Sequence, residues 1–140
     1  MKIEHVAIWA KDIDKVCDFY HKYFDGEVQP LYHNPAKQFT SRFVTFESGA
    51  RLEVMHRPDI DADVGTVTSP MFHVEHCGLT HLSFSVASKE EVDRLTQKMS
   101  DDGIQIVGQP RTTGDGYYES VVLDPEGNRV EVSASSNVPQ

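Results

Sequence analysis

Two histidines and two glutamates occupy matching places along this chain. His5 lies in EHVAIW and Glu53 in RLEVM, while His81 lies in THLSFSV and Glu131 in NRVEVSA. The separation is 48 residues in the first case and 50 in the second. Taken singly, each residue has a plain structural reading: a strand histidine is usually satisfied within its sheet, and a strand glutamate beside an arginine is usually a solvated cross-strand pair. Solvation alone explains poorly why all four recur in register. Two imidazoles and two carboxylates form a borderline-to-hard donor set that suits Zn²⁺, Ni²⁺, Co²⁺, Mn²⁺ or Fe²⁺. Divalent-metal binding is the chemistry they point to.

The elements that must position these residues are legible in the hydrophobic pattern. MKIEHVAIWA alternates and reads as a strand. KDIDKVCDFYHKYFDG carries Ile13, Val16, Phe19, Tyr20, Tyr23 and Phe24 at helical spacing, with Asp12 or Asp14 to cap its start and Gly26 to stop it. EVQPLY, TSRFVTFES and ARLEVMH follow as three strands. The second half repeats the order: LTHLSFSVA as a strand, SKEEVDRLTQKMSDDG as a helix opened by a Ser88–Glu91 capping box, then IQIVGQPR, GYYESVVLD and NRVEVSA. The register is shared, since Val16, Lys22 and His5 map onto Val92, Lys98 and His81 at an offset of 76, and Arg51-Leu52-Glu53-Val54 maps onto Arg129-Val130-Glu131-Val132 at an offset of 78.

The expected fold is therefore α+β, built from two βαβββ modules at residues 1–56 and 79–135. Residues 57–78 join them, and 136–140 form a tail. Strand side chains alternate between faces. His5, Ala7 and Trp9 thus oppose Val6 and Ile8, and Glu53 and Glu131 oppose the apolar residues that flank them. The apolar faces suit packing on a helix and leave the His and Glu on the other side.

A formal net charge of -9 argues against nucleic-acid or anionic-membrane partners. No apolar run approaches a membrane span, and no secretory h-region follows Met1. Two cysteines without CxxC spacing read as reduced thiols, which makes the cytoplasm the expected location.

The double βαβββ layout, the His and Glu positions, and LDPEGNRVEV at residues 123–132 together resemble the vicinal oxygen chelate superfamily. That superfamily includes glyoxalase I, fosfomycin- and bleomycin-resistance proteins and extradiol dioxygenases. The resemblance implies open sheets around a metal cleft, with His5, Glu53, His81 and Glu131 as ligands. It implies a homodimer whose sites draw His5 and Glu53 from one module and His81 and Glu131 from its partner. The full His/Glu/His/Glu set looks most like glyoxalase I, with zinc or nickel first and iron, cobalt or manganese as alternatives. The implied reaction is a lyase or isomerase step on a small carbonyl or hydroxy-carbonyl substrate through a metal-stabilised enediolate, with Glu131 as base and Glu53 on the opposite face. An Fe(II) dioxygenase, a fosfomycin-resistance-type enzyme and a non-catalytic drug- or metabolite-binding dimer are the alternatives.

Trp9 stands where glutathione-using glyoxalases tend to carry an arginine, which puts glutathione use in doubt. Trp9, Arg57, Tyr117 and Tyr118 are the candidate substrate contacts, and one of the two tyrosines is expected to face the cleft. Each also has an ordinary reading as core, strand end or sheet packing. Arg51 and Arg129 share strand faces with the Glu pair and are placed either to orient carboxylates or to form strand-end salt bridges. His73-Val74-Glu75-His76 reads as linker surface or dimer interface before a second metal site. Cys17, on the helix, needs no function.

Overall fold

The structure is a computed structural model that describes residues 3–60, 79–114 and 116–135. The chain divides into two compact units, Met1–Thr66 and Val67–Gln140. Most of the joining segment, including His73-Val74-Glu75-His76, lies outside the described residues, as do Cys77 and the tail 136–140.

The first unit runs β1 (His5–Trp9), α1 (Ile13–Phe24), β2 (Glu27–Val28), β3 (Tyr32–Asn34), a 3-10 turn (Pro35–Lys37), β4 (Phe39–Thr45) and β5 (Arg51–His56). The second runs β6 (His81–Ser85), α2 (Lys89–Asp101), β7 (Ile106–Thr112), β8 (Tyr117–Leu123) and β9 (Arg129–Ser135). Strand order is β1-β5-β4-β2 with β3 also on β4 in one sheet, and β6-β9-β8-β7 in the other. In each sheet the first and last strands pair in parallel and the rest pair antiparallel. Both are open sheets of the βαβββ kind.

One expected strand divides. EVQPLY becomes β2 and β3, because Pro30 has no N–H to give the ladder. Pairing slips by one residue there, from Val28↔Val44 to Tyr32↔Ser41.

Each helix covers one face of its sheet. Val16, Phe19, Tyr20 and Tyr23 of α1 are buried with Val44, Leu52 and Val54, and Val92, Leu95 and Met99 of α2 with Val122, Val130 and Val132. Asp12 caps α1 by accepting from Lys15 N at 3.0 Å. Ser88 caps α2 by accepting from Glu91 N at 3.3 Å, while the Glu91 carboxylate turns away to Arg94. The Glu90 carboxylate is the one that bonds back to Ser88, and that bond lowers its pKa below the usual range. Two buried polar side chains in this layer, one on α2 and one on β8, are satisfied together. Thr96 Oγ1 donates to Val92 O, so the Ser120 hydroxyl donates to Thr96, both at 2.6 Å.

The repeated Gly-x-Arg-x-Glu phrase now has a physical meaning. Gly49 and Gly127 adopt φ of 87° and 83°, a left-handed turn that favours glycine. Two residues on, Arg51 and Arg129 stand beside His5 and His81 on the neighbouring parallel strand. The glutamate then falls on the same face as that histidine. In the second unit Asp124 fixes the turn as well, accepting from Glu126 N at 2.9 Å and Asn128 N at 2.8 Å.

Gly26 is needed for another reason: a Cβ there would meet Val44 Cγ1 at 2.4 Å, against a side chain that is fully buried. Gly26→Ala is expected to lower unfolding stability by about 1–3 kcal/mol, read from urea or thermal melts. An unchanged melt would show that α1 does not sit this close to β4.

Candidate metal site

The face of each sheet away from its helix carries the histidine and the glutamate. In the first unit His5 Nε2 lies 3.9 Å from Glu53 Oε2. In the second, His81 Nε2 lies 3.3 Å from Glu131 Oε2. Both carboxylates are largely shielded, with side-chain exposures of 18% for Glu53 and 17% for Glu131. Among the described residues, the polar partner of each is the histidine of its own pair. A carboxylate partly shielded from water is stabilised by a cation or several donors. One imidazole supplies neither unless it is protonated. Within each unit one imidazole nitrogen and one carboxylate oxygen face each other, and both are donor types that divalent metal ions take. Among the described residues no three His, Cys, Asp or Glu side chains gather into one group.

His5 has a support that, among the described residues, His81 does not share. Its Nδ1 contacts the Glu4 carboxylate, whose other oxygen contacts Arg51. The His5 bond and the Arg51 guanidinium hold the Glu4 carboxyl below its usual range. A carboxylate on Nδ1 keeps the proton there and leaves the Nε2 lone pair for a metal. Thr80 stands at the equivalent place in the second unit. Arg51 therefore serves the histidine of its pair through Glu4 and also stacks on Phe43, at 3.9 Å from the ring centroid, which in turn meets the His5 ring edge-on.

The other candidate residues separate. Trp9 shares the His5 face, half exposed, in an aromatic group with Phe39 and Tyr32. Arg57 lies over the Trp9 ring at 5.5 Å and contacts Asp59, so its charge is already engaged. The two tyrosines resolve by alternation. Tyr118 shares its face with Ser120 and Val122 against α2, and its hydroxyl donates to Asp93 at 2.8 Å, which raises the phenol pKa. The substrate-contact expectation for Tyr118 is corrected accordingly, and only Tyr117 takes the open side of the sheet. In the second unit that open side holds a cleft of about 680 Å³, lined by residues that include His81, Glu131, Arg129 and Arg111.

A sequence profile of the glyoxalase/bleomycin resistance protein/dioxygenase superfamily matches residues 2–132. The chain belongs to that superfamily. A glyoxalase family protein from Enterococcus faecalis is 26% identical, with a TM-score of 0.72 over 94% of this chain and 96% of that one. Glyoxalase I from Zea mays shares the fold at 19% identity and a TM-score of 0.75, with 99% of this chain covering 46% of that enzyme. The Bacillus subtilis (strain 168) protein YqjT is 36% identical over 70 residues, which span 48% of this chain and 55% of that protein. The chain thus spans about half the length of the curated relative it matches.

Glu4 and Arg111 were missed in the sequence. Glu4 could have been found by asking what holds the second nitrogen of a ligand histidine. Arg111 had no such signal. As for nucleophiles, Cys17 is buried, and burial pushes its thiol up to about 11. It stays neutral and inert at neutral pH. In a Cys77→Ser background, Cys17 is expected to resist iodoacetamide at pH 8 until denaturant is added. Rapid labelling of the native protein would contradict its burial.

Proposed function

We propose that His5, Glu53, His81 and Glu131 together hold one divalent metal ion, zinc or nickel first. We further propose that the chain is a glyoxalase-type lyase or isomerase of a small carbonyl or hydroxy-carbonyl compound. The observation that carries this reading is the pair of shielded carboxylates, each facing a histidine nitrogen and nothing else among the described residues. Bound there, the ion would supply Lewis acidity to a substrate oxygen next to the carbon that loses its proton.

The protein's own groups do the rest. Glu131 takes the proton from that carbon on its carboxylate, where it can exchange with solvent, and delivers a proton to the neighbouring carbon, so the isomerisation leaves the net proton count unchanged. Glu53 offers the matching carboxylate on the other side. Glu4 keeps His5 in the tautomer that presents Nε2. The superfamily's small-molecule chemistry supports such a substrate, and the proposed assembly is a homodimer. Among the described residues no helix is long and apolar enough to cross a membrane.

Metal content of the purified protein tests this directly, together with solvent-deuterium exchange into 2-hydroxy ketones after Ni²⁺, Zn²⁺ or Fe²⁺ is restored. One ion per chain is expected. Glu131→Gln is expected to slow exchange by about a hundredfold or more. A wild type that holds no divalent ion, or a Glu131→Gln variant with unchanged exchange, would overturn the reading. Oxygen uptake dependent on Fe²⁺ would replace it with a dioxygenase.

A further inference from the structure

The cleft of the second unit has a cation at the far end from its histidine–glutamate pair. Glu131 pairs with Val121 of β8, and Val121 pairs with Gly108 of β7, so these three form one row across the sheet. Arg111 belongs to the next row, opposite Glu119. Its guanidinium does not stay there. A Cβ built on Gly108 would lie 3.5 Å from Arg111 Nη1 and 3.2 Å from Val121 Cγ2. The side chain therefore folds back over the glycine into the row of Glu131. A register shift between Gly108 and Arg111 makes this possible, since a bulge re-aims the residue that follows it.

We infer that Arg111 binds an acidic group of the substrate, remote from the oxygens that meet the metal; this rests on the metal reading above. Two strand spacings, about 10 Å, separate the guanidinium's row position on β7 from the backbone of Glu131. The Val121 side chain lies between them, and a short carbon chain suits that floor. The ligand class is a small oxo or hydroxy acid with a second carboxylate, or an equivalent oxyanion, a few bonds from its vicinal oxygens. Arg111 has donors to give. Its ion partner Glu119 lies 3.8 Å away, beyond hydrogen-bond reach, and the Arg111 side chain is 55% exposed. A charge-assisted, bidentate contact to a carboxylate is stronger than such a loose pair. Gly108 leaves the floor of the cleft open: a Cβ there would crowd Val121 at 3.2 Å and come into contact with the guanidinium at 3.5 Å.

Calorimetric titration of the metal-loaded protein tests the inference. The probes are 2-oxoglutarate and 2-oxoadipate, set against the mono-acids 2-oxopentanoate and 2-oxohexanoate. Wild type is expected to prefer at least one di-acid by about tenfold or more, a difference of roughly 1.4 kcal/mol. Arg111→Met is expected to erase that preference, while its mono-acid affinity and its affinity for the metal stay within about twofold of wild type; Arg111→Lys is expected to retain part of the preference. Thermal melts establish that both variants fold. No di-acid preference in wild type, or a preference that survives Arg111→Met with metal bound, overturns the Arg111 role and leaves the metal reading standing. A wild type that takes up no divalent ion overturns both.

Discussion

Glu53 and Glu131 are partly shielded carboxylates, each facing a histidine nitrogen of its own unit, and the proposed function depends on that arrangement. An ion withdrawn from solvent without matched charge costs several kcal/mol even after relaxation. A chain that needed only sheet stability would place threonine or valine at these positions. A bound cation would favour an acid at both positions, and the facing histidine nitrogens are donors that a divalent metal ion would share. The same condition explains why the helices pack on the other side. A sheet that buried both faces under helices would leave no room for a ligand between metal and solvent.

The two units meet the condition by one recipe. A left-handed glycine turns the chain into the last strand, an arginine lands beside the histidine of the parallel first strand, and the glutamate follows on the same face. Around this shared frame the units differ in their supports. The first braces its histidine with Glu4 and Arg51 and sets Phe43 against its ring, with the Trp9 group farther along the same face. Among the described residues the second has no matching brace on its histidine, and it opens a cleft floored by Val121 and bounded by Arg111. The histidine and glutamate positions match between the two units, while their surroundings differ.

Much of this was legible in the sequence because period-two alternation and the 76- and 78-residue offsets place His5, Glu53, His81 and Glu131 without knowledge of packing. Other features depend on tertiary detail that periodicity does not carry. Tyr117 and Tyr118 look alike until α2 docks and offers Asp93 to one of them. Glu4 stands just before β1, where alternation no longer governs its direction, and so it was passed over. Arg111 escapes for the opposite reason: it lies inside a strand whose register shift breaks the alternation that sequence reading relies on. EVQPLY reads as one strand, and the break at Pro30, after which the chain rejoins the same neighbour one residue out of step, depends on that ladder.

The central claim is that both copies contribute one histidine each to a single ion. X-ray absorption at the metal edge of zinc-loaded protein measures this most directly, because imidazole rings give a distinctive multiple-scattering signal. The expected result is two imidazoles per zinc with oxygen ligands completing the shell, falling to one in His81→Ala. A spectrum with no imidazole, or with a single imidazole that His81→Ala leaves unchanged, would contradict it.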